Sequence, residues 1–214
     1  MASKTRDKIL KTALKEFNER GFGNVSLADL AAAAGIAKGN LWYHFKDKEA
    51  LLEALNAAYI ERLEWRKTLW PEPGREIEGF AELLRTITDE IRDFRFMFRD
   101  QSSYGEHSQT LLDELAKIYD DAMRQFTAFI EALRRDKRIE IADNQLAPLV
   151  FNLTLGLRYH LEFLREIGQS NDPKSGGVES ALQQCATHFD GKMAPAALKK
   201  FRRLLGQTQL IEGS

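Results

Sequence analysis

The sequence is poor in cysteine and contains no long apolar segment. Cys185 is the single cysteine among 214 residues, so no disulfide can form within the chain, and a reducing cytoplasm is the natural compartment. No run of about 18 apolar residues occurs, so a transmembrane helix is not expected. The opening stretch MASKTRDKILKTALKEF lacks the apolar segment of a secretory signal. We therefore expect a cytoplasmic protein that does not enter the membrane.

The motifs of common enzymes are also missing. There is no phosphate-binding P-loop, no G-x-G-x-x-G turn, no nucleophile elbow and no Glu-x-x-His pair. Cys185 and His188 have the spacing of metal ligands, but a single pair cannot complete a zinc site. We therefore predict that the protein is not an enzyme and that it uses no metal and no cofactor.

The apolar residues recur at intervals of three and four, and strand-like alternation is nowhere sustained. This spacing predicts an all-α protein. We assign 1–52 to a small N-terminal domain and 53–214 to a larger C-terminal domain, because the start of the fourth helix completes the small unit. Asp47 can cap that helix. A short helix is predicted from about Ala37, and the others cover about 4–20, 26–35, 47–69, 75–92, 94–102, 107–136, 143–168, 178–189 and 194–205.

Charge is distributed unevenly along the chain. Residues 1–50 contain nine Lys and Arg against six Asp and Glu, a balance of +3, whereas the other 164 residues have 22 against 26, a balance of −4. The net charge of −1 does not by itself suggest nucleic acid. The asymmetry, however, favours a small unit that faces a polyanion.

Residues 26–45 have the features of a helix–turn–helix. Ser26 is a natural N-cap with Asp29 three residues later, and Gly35 suits the tight turn that ends the helix. Ile36 and Leu41 are spaced to point inward and hold the second helix against the first. In DNA-binding proteins the second helix of this motif lies in the major groove, so we predict that 1–52 binds DNA.

The residues after the turn have side chains suited to DNA. Lys38 can donate to guanine and Asn40 to adenine, while Gly39 removes bulk and lets the helix sit deep in the groove. We assign phosphate contacts to three residues, namely Tyr43, His44 and Lys48. The simpler interpretation is that isolated lysines and histidines are only solvated. A helix–turn–helix also occurs without DNA binding.

Two large aromatic side chains interrupt this polar stretch. We expect Trp42 and Phe45 to pack in the core of the small domain, against the first and fourth helices, because large aromatic residues are highly buried on average.

The stretch ILKTALKEFNERGFGNVSLADLAAAAGIAKGNLWYHFKDKEALLEAL covers nearly the whole N-terminal unit, and it resembles the TetR/AcrR family of bacterial transcriptional repressors. The resemblance implies the base-facing positions named above and phosphate contacts from Tyr43 and Lys48. Ser26 stands where the family usually has threonine. It keeps the cap and the hydroxyl, and we include it among the DNA-binding residues. Residues 53–214 show no comparable motif.

The resemblance implies a homodimer in which the last long helices of two subunits form a four-helix bundle. Here these are about 143–168 and one of 178–189 or 194–205. The residues themselves give independent support, since NQLAPLVFNLTLGLRYHLEFLREIG is apolar on more than one face. A helix of this kind must bury a second face against another element.

The resemblance also implies an effector pocket within the C-terminal helices. We expect a mostly apolar, aromatic or acyl ligand, held by aromatic side chains with a few polar groups among them. The candidates are Phe98, Tyr104, Phe126, Phe129, Phe151, Arg158, Tyr159 and His160. The alternatives are that most of these aromatics form the core, and that Arg158 and His160 face solvent or the dimer contact.

These features together predict a ligand-responsive transcriptional regulator. We expect a repressor that binds a palindromic double-stranded DNA operator as a homodimer and is released by a small effector. The alternative is an orphan helix–turn–helix protein that is regulated by a protein partner or by no ligand. Association with DNA should weaken steeply with salt, whereas association with a protein through another surface need not.

Overall fold

The computed structural model describes residues 2–99, 109–169 and 176–206. Within these ranges the chain forms ten helices and no extended strand, which confirms the predicted all-α fold. Predicted and observed helix limits agree to within three residues wherever both are described. The helices are α1 Ala2–Arg20, α2 Leu27–Ala34, α3 Lys38–His44, α4 Lys48–Arg66, α5 Glu76–Asp93, α6 Arg95–Arg99, α7 Gln109–Arg135, α8 Asp143–Glu166, α9 Gly177–Thr187 and α10 Pro195–Leu205. None of the described helices has the length and apolar character needed to cross a membrane.

The described residues fold into two compact units. One comprises those within Met1–Glu64 and Asp93–Ala116, and the other comprises those within Trp65–Arg92 and Lys117–Ser214. The helices α4, α5 and α7 contribute residues to both units. The predicted boundary after residue 52 divides the chain into a DNA-binding and an effector-binding part and not into compact units, and it stays a prediction.

The core of the first unit joins α1, α2 and α3. Phe17, Leu30 and Leu41, one from each helix, have no exposed surface. Gly35 ends α2 in the left-handed conformation at φ 61°, which confirms the predicted glycine turn. The packing of these three helices fixes the crossing of α2 and α3 that the helix–turn–helix requires.

The short helix α6 is attached to the carboxyl end of α1. The Asn18 side chain donates to the carbonyl of Asp93 (2.7 Å) and accepts from the Phe96 amide (3.0 Å). Arg99 donates to the Phe17 carbonyl (3.0 Å). Its positive charge is stabilised there by the negative end of the α1 dipole. Segment 93–99 therefore belongs to the same unit as the helix–turn–helix.

An aromatic cluster forms the core of the second unit. Four rings lie within 6.2 Å of the Phe80 ring, centroid to centroid, and they belong to Phe126, Phe129, Phe189 and Phe201. Gly79 on α5 lies against this cluster, since a Cβ atom there would approach Cε1 of Phe129 to 2.9 Å. Packing therefore requires the absence of a side chain at position 79.

A buried polar network joins the end of α4 to α5 and α7. Nε of Arg66 lies 3.0 Å from Oε2 of Glu90, and both side chains are only 2% exposed. Gln125 accepts from the Arg66 guanidinium (3.1 Å) and donates to the carbonyls of Arg66 (2.8 Å) and Leu69 (2.9 Å). The network thus ties the last residue of α4 and the turn that follows it to α7.

Candidate nucleic-acid interface

Helix α3 is only seven residues long and has no side-chain hydrogen bond at its N-cap, Ala37. So short a helix is not stable by itself and depends on tertiary packing. Leu41 (0% exposed) and Phe45 (3% exposed) supply that packing, which confirms the prediction that both are core residues.

The remaining surface of α3 is largely open to solvent. Lys38, Gly39 and Asn40 are exposed, and Tyr43 is exposed over 81% of its surface. His44 is half-buried, with its ring edge-on to that of Tyr43 at 5.3 Å between centroids. The five positions predicted on α3 to contact DNA therefore lie on or beside one solvent-facing surface, and their individual roles stay predictions.

The prediction that Trp42 is a core residue is wrong, because its side chain is 59% exposed. The reason is helical geometry. Leu41 and Phe45 are four residues apart and share the buried face, while Trp42 is turned by about 100° from Leu41. The same spacing can be found in the sequence and would have identified Trp42 as a further residue of the exposed surface of α3. The core assignment of Trp42 relied instead on the general tendency of tryptophan to be buried.

Lys48 does not project into solvent as the phosphate prediction assumed. Its ammonium group donates to the carbonyl of Phe22 and lies 4.1 Å from the centroid of the Phe22 ring and 5.8 Å from that of Phe17. Burial lowers the pKa of the Lys48 ammonium. The carbonyl of Phe22 takes one of the three N–H donors of this ammonium group.

Ser26 forms the predicted capping box with Asp29. The Asp29 amide donates to the Ser26 hydroxyl (3.1 Å), and the Ser26 amide donates to the Asp29 carboxylate (2.8 Å). The Ser26 hydroxyl also donates to this carboxylate (2.6 Å), and these bonds hold the pKa of Asp29 below its usual value. At the start of α4, the amide of Ala50 donates to Oδ1 of Asp47 (2.8 Å), as predicted for the cap of that helix.

The predicted pocket residues do not all share one surface. Phe126 and Phe129 belong to the aromatic core described above. Arg158 is buried and donates to the hydroxyl of Tyr119 (2.7 Å), and His160 is half-buried beside the Ser180 hydroxyl (3.1 Å).

The other pocket candidates lie apart from these residues. Phe98 belongs to the first unit, where its ring contacts that of Tyr59, and Tyr104 lies outside the described residues. Phe151 and Tyr159 are not buried, since 56% and 55% of their surfaces are exposed, and their assignment to a pocket stays a prediction.

Phe151 and Tyr159 belong instead to an exposed apolar stripe on α8 and the residue that follows it. Its members recur every four residues and are 39–56% exposed, and they are Phe151, Leu155, Tyr159, Phe163 and Ile167. The opposite face of α8 is buried through Leu149, Leu153 and Leu157, among others. The helix is therefore apolar on two faces, as predicted.

Comparison with known proteins gives matches over both parts of the chain. A family model described as bacterial regulatory proteins, tetR family, matches residues 9–55, and one described as bacterial transcriptional repressor matches residues 48–201. The chain is similar to the HTH-type transcriptional repressor KstR2 of Mycolicibacterium smegmatis, with 26% identity over 168 residues. This similarity covers 75% of the present chain and 74% of that protein.

Two solved structures have the same fold. A TetR-family transcriptional regulator from Marinobacter aquaeolei has a TM-score of 0.75 and 20% identity, covering 92% of this chain and 98% of that one. A gamma-butyrolactone receptor has a TM-score of 0.65 and 16% identity, covering 95% of each chain.

Proposed function

Because the chain belongs to the TetR family of bacterial transcriptional regulators, we propose that it is a repressor that binds a palindromic operator as a homodimer. We further propose that a small, mostly apolar effector releases it. The observation that carries the proposal is the surface of α3, where one side is buried by Leu41 and Phe45 and the other presents polar and aromatic side chains.

The DNA contacts follow from the chemistry of that surface. Lys38 and Asn40 donate to base edges, and Tyr43 and His44 contact the phosphates on either side of the groove. Ser26 donates to a phosphate once its hydroxyl leaves the Asp29 carboxylate, and Lys48 does so with the N–H groups that the Phe22 carbonyl does not accept. The positive balance of residues 1–50 favours this polyanion, while the rest of the chain is slightly acidic.

The homodimer forms through the apolar stripe of α8. An exposed row of five apolar side chains is unfavourable in water and is best covered by a second copy of itself, since the common symmetric dimer pairs identical surfaces. One of the last two helices, α9 or α10, completes the contact. Two copies then present two α3 helices to two half-sites of one operator, spaced by about 34–36 Å for each helical turn of DNA.

The effector binds within the second unit and favours the arrangement of the dimer that fits the operator less well. A similar fold in a gamma-butyrolactone receptor supports a small ligand with apolar character. Phe126, Phe129, Arg158 and His160 are the candidates in this unit that lie outside the stripe, whereas Phe98 belongs to the first unit. Release requires only that the ligand binds more tightly to the arrangement of the dimer that fits the operator less well. The difference in binding free energy is typically 1–3 kcal/mol.

A binding experiment tests the proposal. Duplexes selected from a random library by the wild-type protein should share a palindrome, and the affinity should fall with a log–log salt slope of about −0.9 per phosphate contact. Asn40→Ala should relax discrimination at one base pair in each half-site, with a loss of about 1–3 kcal/mol at that position. An association that is insensitive to salt and to changes on α3 would favour the orphan protein regulated by a protein partner.

The dimer has its own test. Tyr159→Glu places a charge in the centre of the stripe and should convert the dimer to a monomer in analytical ultracentrifugation. Glu166→Gln, a charge change at an exposed position of the same helix outside the stripe, is the matched control and should remain dimeric. A Tyr159→Glu protein that sediments as a dimer contradicts the assignment of the stripe.

A further inference from the structure

A buried arginine, Arg158, connects α7 to the apolar stripe of α8. Only 8% of Arg158 is exposed, whereas its neighbour Tyr159 in the stripe is 55% exposed. Nε of Arg158 donates to the hydroxyl of Tyr119 on α7 (2.7 Å). The central carbon of the guanidinium lies over the Tyr159 ring, 4.7 Å from its centroid. One buried cation therefore contacts both a side chain of α7 and a ring of the exposed stripe.

The two tyrosines stabilise this cation in different ways. Arginine is rarely buried, because removing its charge from water is costly. The Tyr119 oxygen accepts a charge-assisted hydrogen bond, and the face of the Tyr159 ring attracts the cation. Burial raises the pKa of Tyr119, so its hydroxyl is neutral at pH 7 and does not cancel the charge that the Tyr159 ring meets.

The attraction between a cation and an aromatic ring depends on the water around them. Removal of this water strengthens the contact by about fivefold, expressed as an equilibrium factor. The Tyr159 ring is half covered within one chain, and the proposed homodimer buries the rest of it against the second copy. A symmetric dimer contains the contact twice, so the two contacts together should favour association roughly 25-fold.

We propose that Arg158 is a positioning residue of the homodimer, whose guanidinium holds the Tyr159 ring in place against a second copy of the chain. This inference rests on the proposed homodimer. Arg158 need not touch the partner itself, because it is buried and acts through the ring. Tyr119 belongs to the same arrangement, since its hydroxyl holds the guanidinium. A residue of α7 outside the stripe therefore influences the strength of the dimer.

The test measures the dimer dissociation constant of the full-length chain by sedimentation, with a fluorophore at the N-terminus that permits dilution below nanomolar concentration. Arg158→Met removes the charge and keeps an unbranched side chain. Tyr159→Phe keeps the ring, whereas Tyr159→Leu keeps only the apolar character. Arg158→Met should raise the dissociation constant roughly 25-fold in the wild type and in Tyr159→Phe, but less than about threefold in Tyr159→Leu. A role of Arg158 in folding alone would have the same effect in all three.

Arg165→Met is the matched control. It makes the same replacement on the same helix, at an arginine that forms ion pairs with Glu162 and Glu166. Whatever its effect on the dimer, the factor should be the same with tyrosine, phenylalanine or leucine at position 159, because its guanidinium acts on these carboxylates.

Tyr119→Phe is a second perturbation, and it lies outside α8. It removes one oxygen atom and with it the hydrogen bond that holds the Arg158 guanidinium. The dimer should weaken roughly threefold in the wild-type background and should not change in Tyr159→Leu. Thermal melting verifies that each variant folds.

The outcomes separate the role of Arg158 from the proposed homodimer. A dimer that Arg158→Met weakens by the same factor in Tyr159→Phe and in Tyr159→Leu, or not at all, overturns this role and leaves the homodimer intact. If Arg158→Met does not fold, a Tyr119→Phe dimer as tight as the wild type overturns the role instead. A wild-type chain that sediments as a monomer at every concentration refutes the homodimer, and the role of Arg158 with it.

Discussion

Replacing Glu90 with leucine should lower the free energy of unfolding by about 3–5 kcal/mol, because the change leaves the Arg66 guanidinium buried without this carboxylate. Both side chains are 2% exposed, and their nearest atoms are 3.0 Å apart. Arg66→Met should have a cost of the same size for the reverse reason, since Glu90 then loses its cation.

The magnitude follows from two opposing contributions. The attraction between two unit charges about 4 Å apart is about 4 kcal/mol at an effective dielectric constant of about 20. Removal of each ion from water costs several kcal/mol, so the intact pair adds little net stability while a broken pair is strongly unfavourable. The double variant Arg66→Met/Glu90→Leu removes both charges and should be destabilised by much less than the sum of the two single variants.

Urea unfolding measures the three variants against the wild type at pH 7, with circular dichroism as the signal. The protein concentration must be constant, because association of the folded chain makes the apparent stability depend on it. The interaction energy from the cycle should exceed about 2 kcal/mol. Single variants that each lose less than about 1 kcal/mol, or losses that simply add, would refute the reasoning, since the pair would then be effectively solvated.

Three further predictions concern single positions. Gly39→Ala should raise the free energy of unfolding by about 0.5–1 kcal/mol, because alanine favours the helix and its Cβ has space there. Gly79→Ala should lower it by about 1–3 kcal/mol, because the new Cβ meets the Phe129 ring. Chemical denaturation of the two variants measures both changes. Lys48→Met should lower the free energy of unfolding by about 1–2 kcal/mol, because the contacts of the ammonium with the Phe22 carbonyl and ring are lost. If this variant leaves the salt dependence of operator binding unchanged, Lys48 does not contact a phosphate. Asp29 has a lowered pKa, so its contribution to stability is present above pH 3.8 and is lost as pH falls below that value; acid titration of Asp29→Asn should lack this component.

The parts of the site that the sequence predicted correctly are those fixed by local geometry. The capping box of Ser26 and Asp29, the left-handed Gly35 and the Asp47 cap each depend on residues no more than three positions apart along the chain. Such features are decided by backbone hydrogen bonding and by the conformational freedom of one residue type. The limits of the described helices were close to the prediction for the same reason.

The surroundings of a side chain depend on which partner it finds in three dimensions. Trp42 is predicted from its size to lie in the core, and this prediction is wrong because its side chain is 59% exposed. Phe151 and Tyr159, assigned to a pocket from their aromatic character, are also more than half exposed. The contact of Lys48 with the Phe22 carbonyl could not be predicted either, because a lysine can reach either solvent or a carbonyl 26 positions away in the sequence. Residue type alone does not choose between these surroundings.

The side of α3 that holds it in place and the side proposed to meet DNA do not overlap. Leu41→Ala or Phe45→Ala should cost about 2–5 kcal/mol, because each opens a cavity in the core of the first unit. Changes to the exposed Asn40, Trp42 or Tyr43 should alter stability by no more than about 0.5 kcal/mol. Operator affinity that is lost at unchanged unfolding free energy therefore identifies a DNA contact, and affinity that is lost together with stability identifies a residue that holds α3 against the domain.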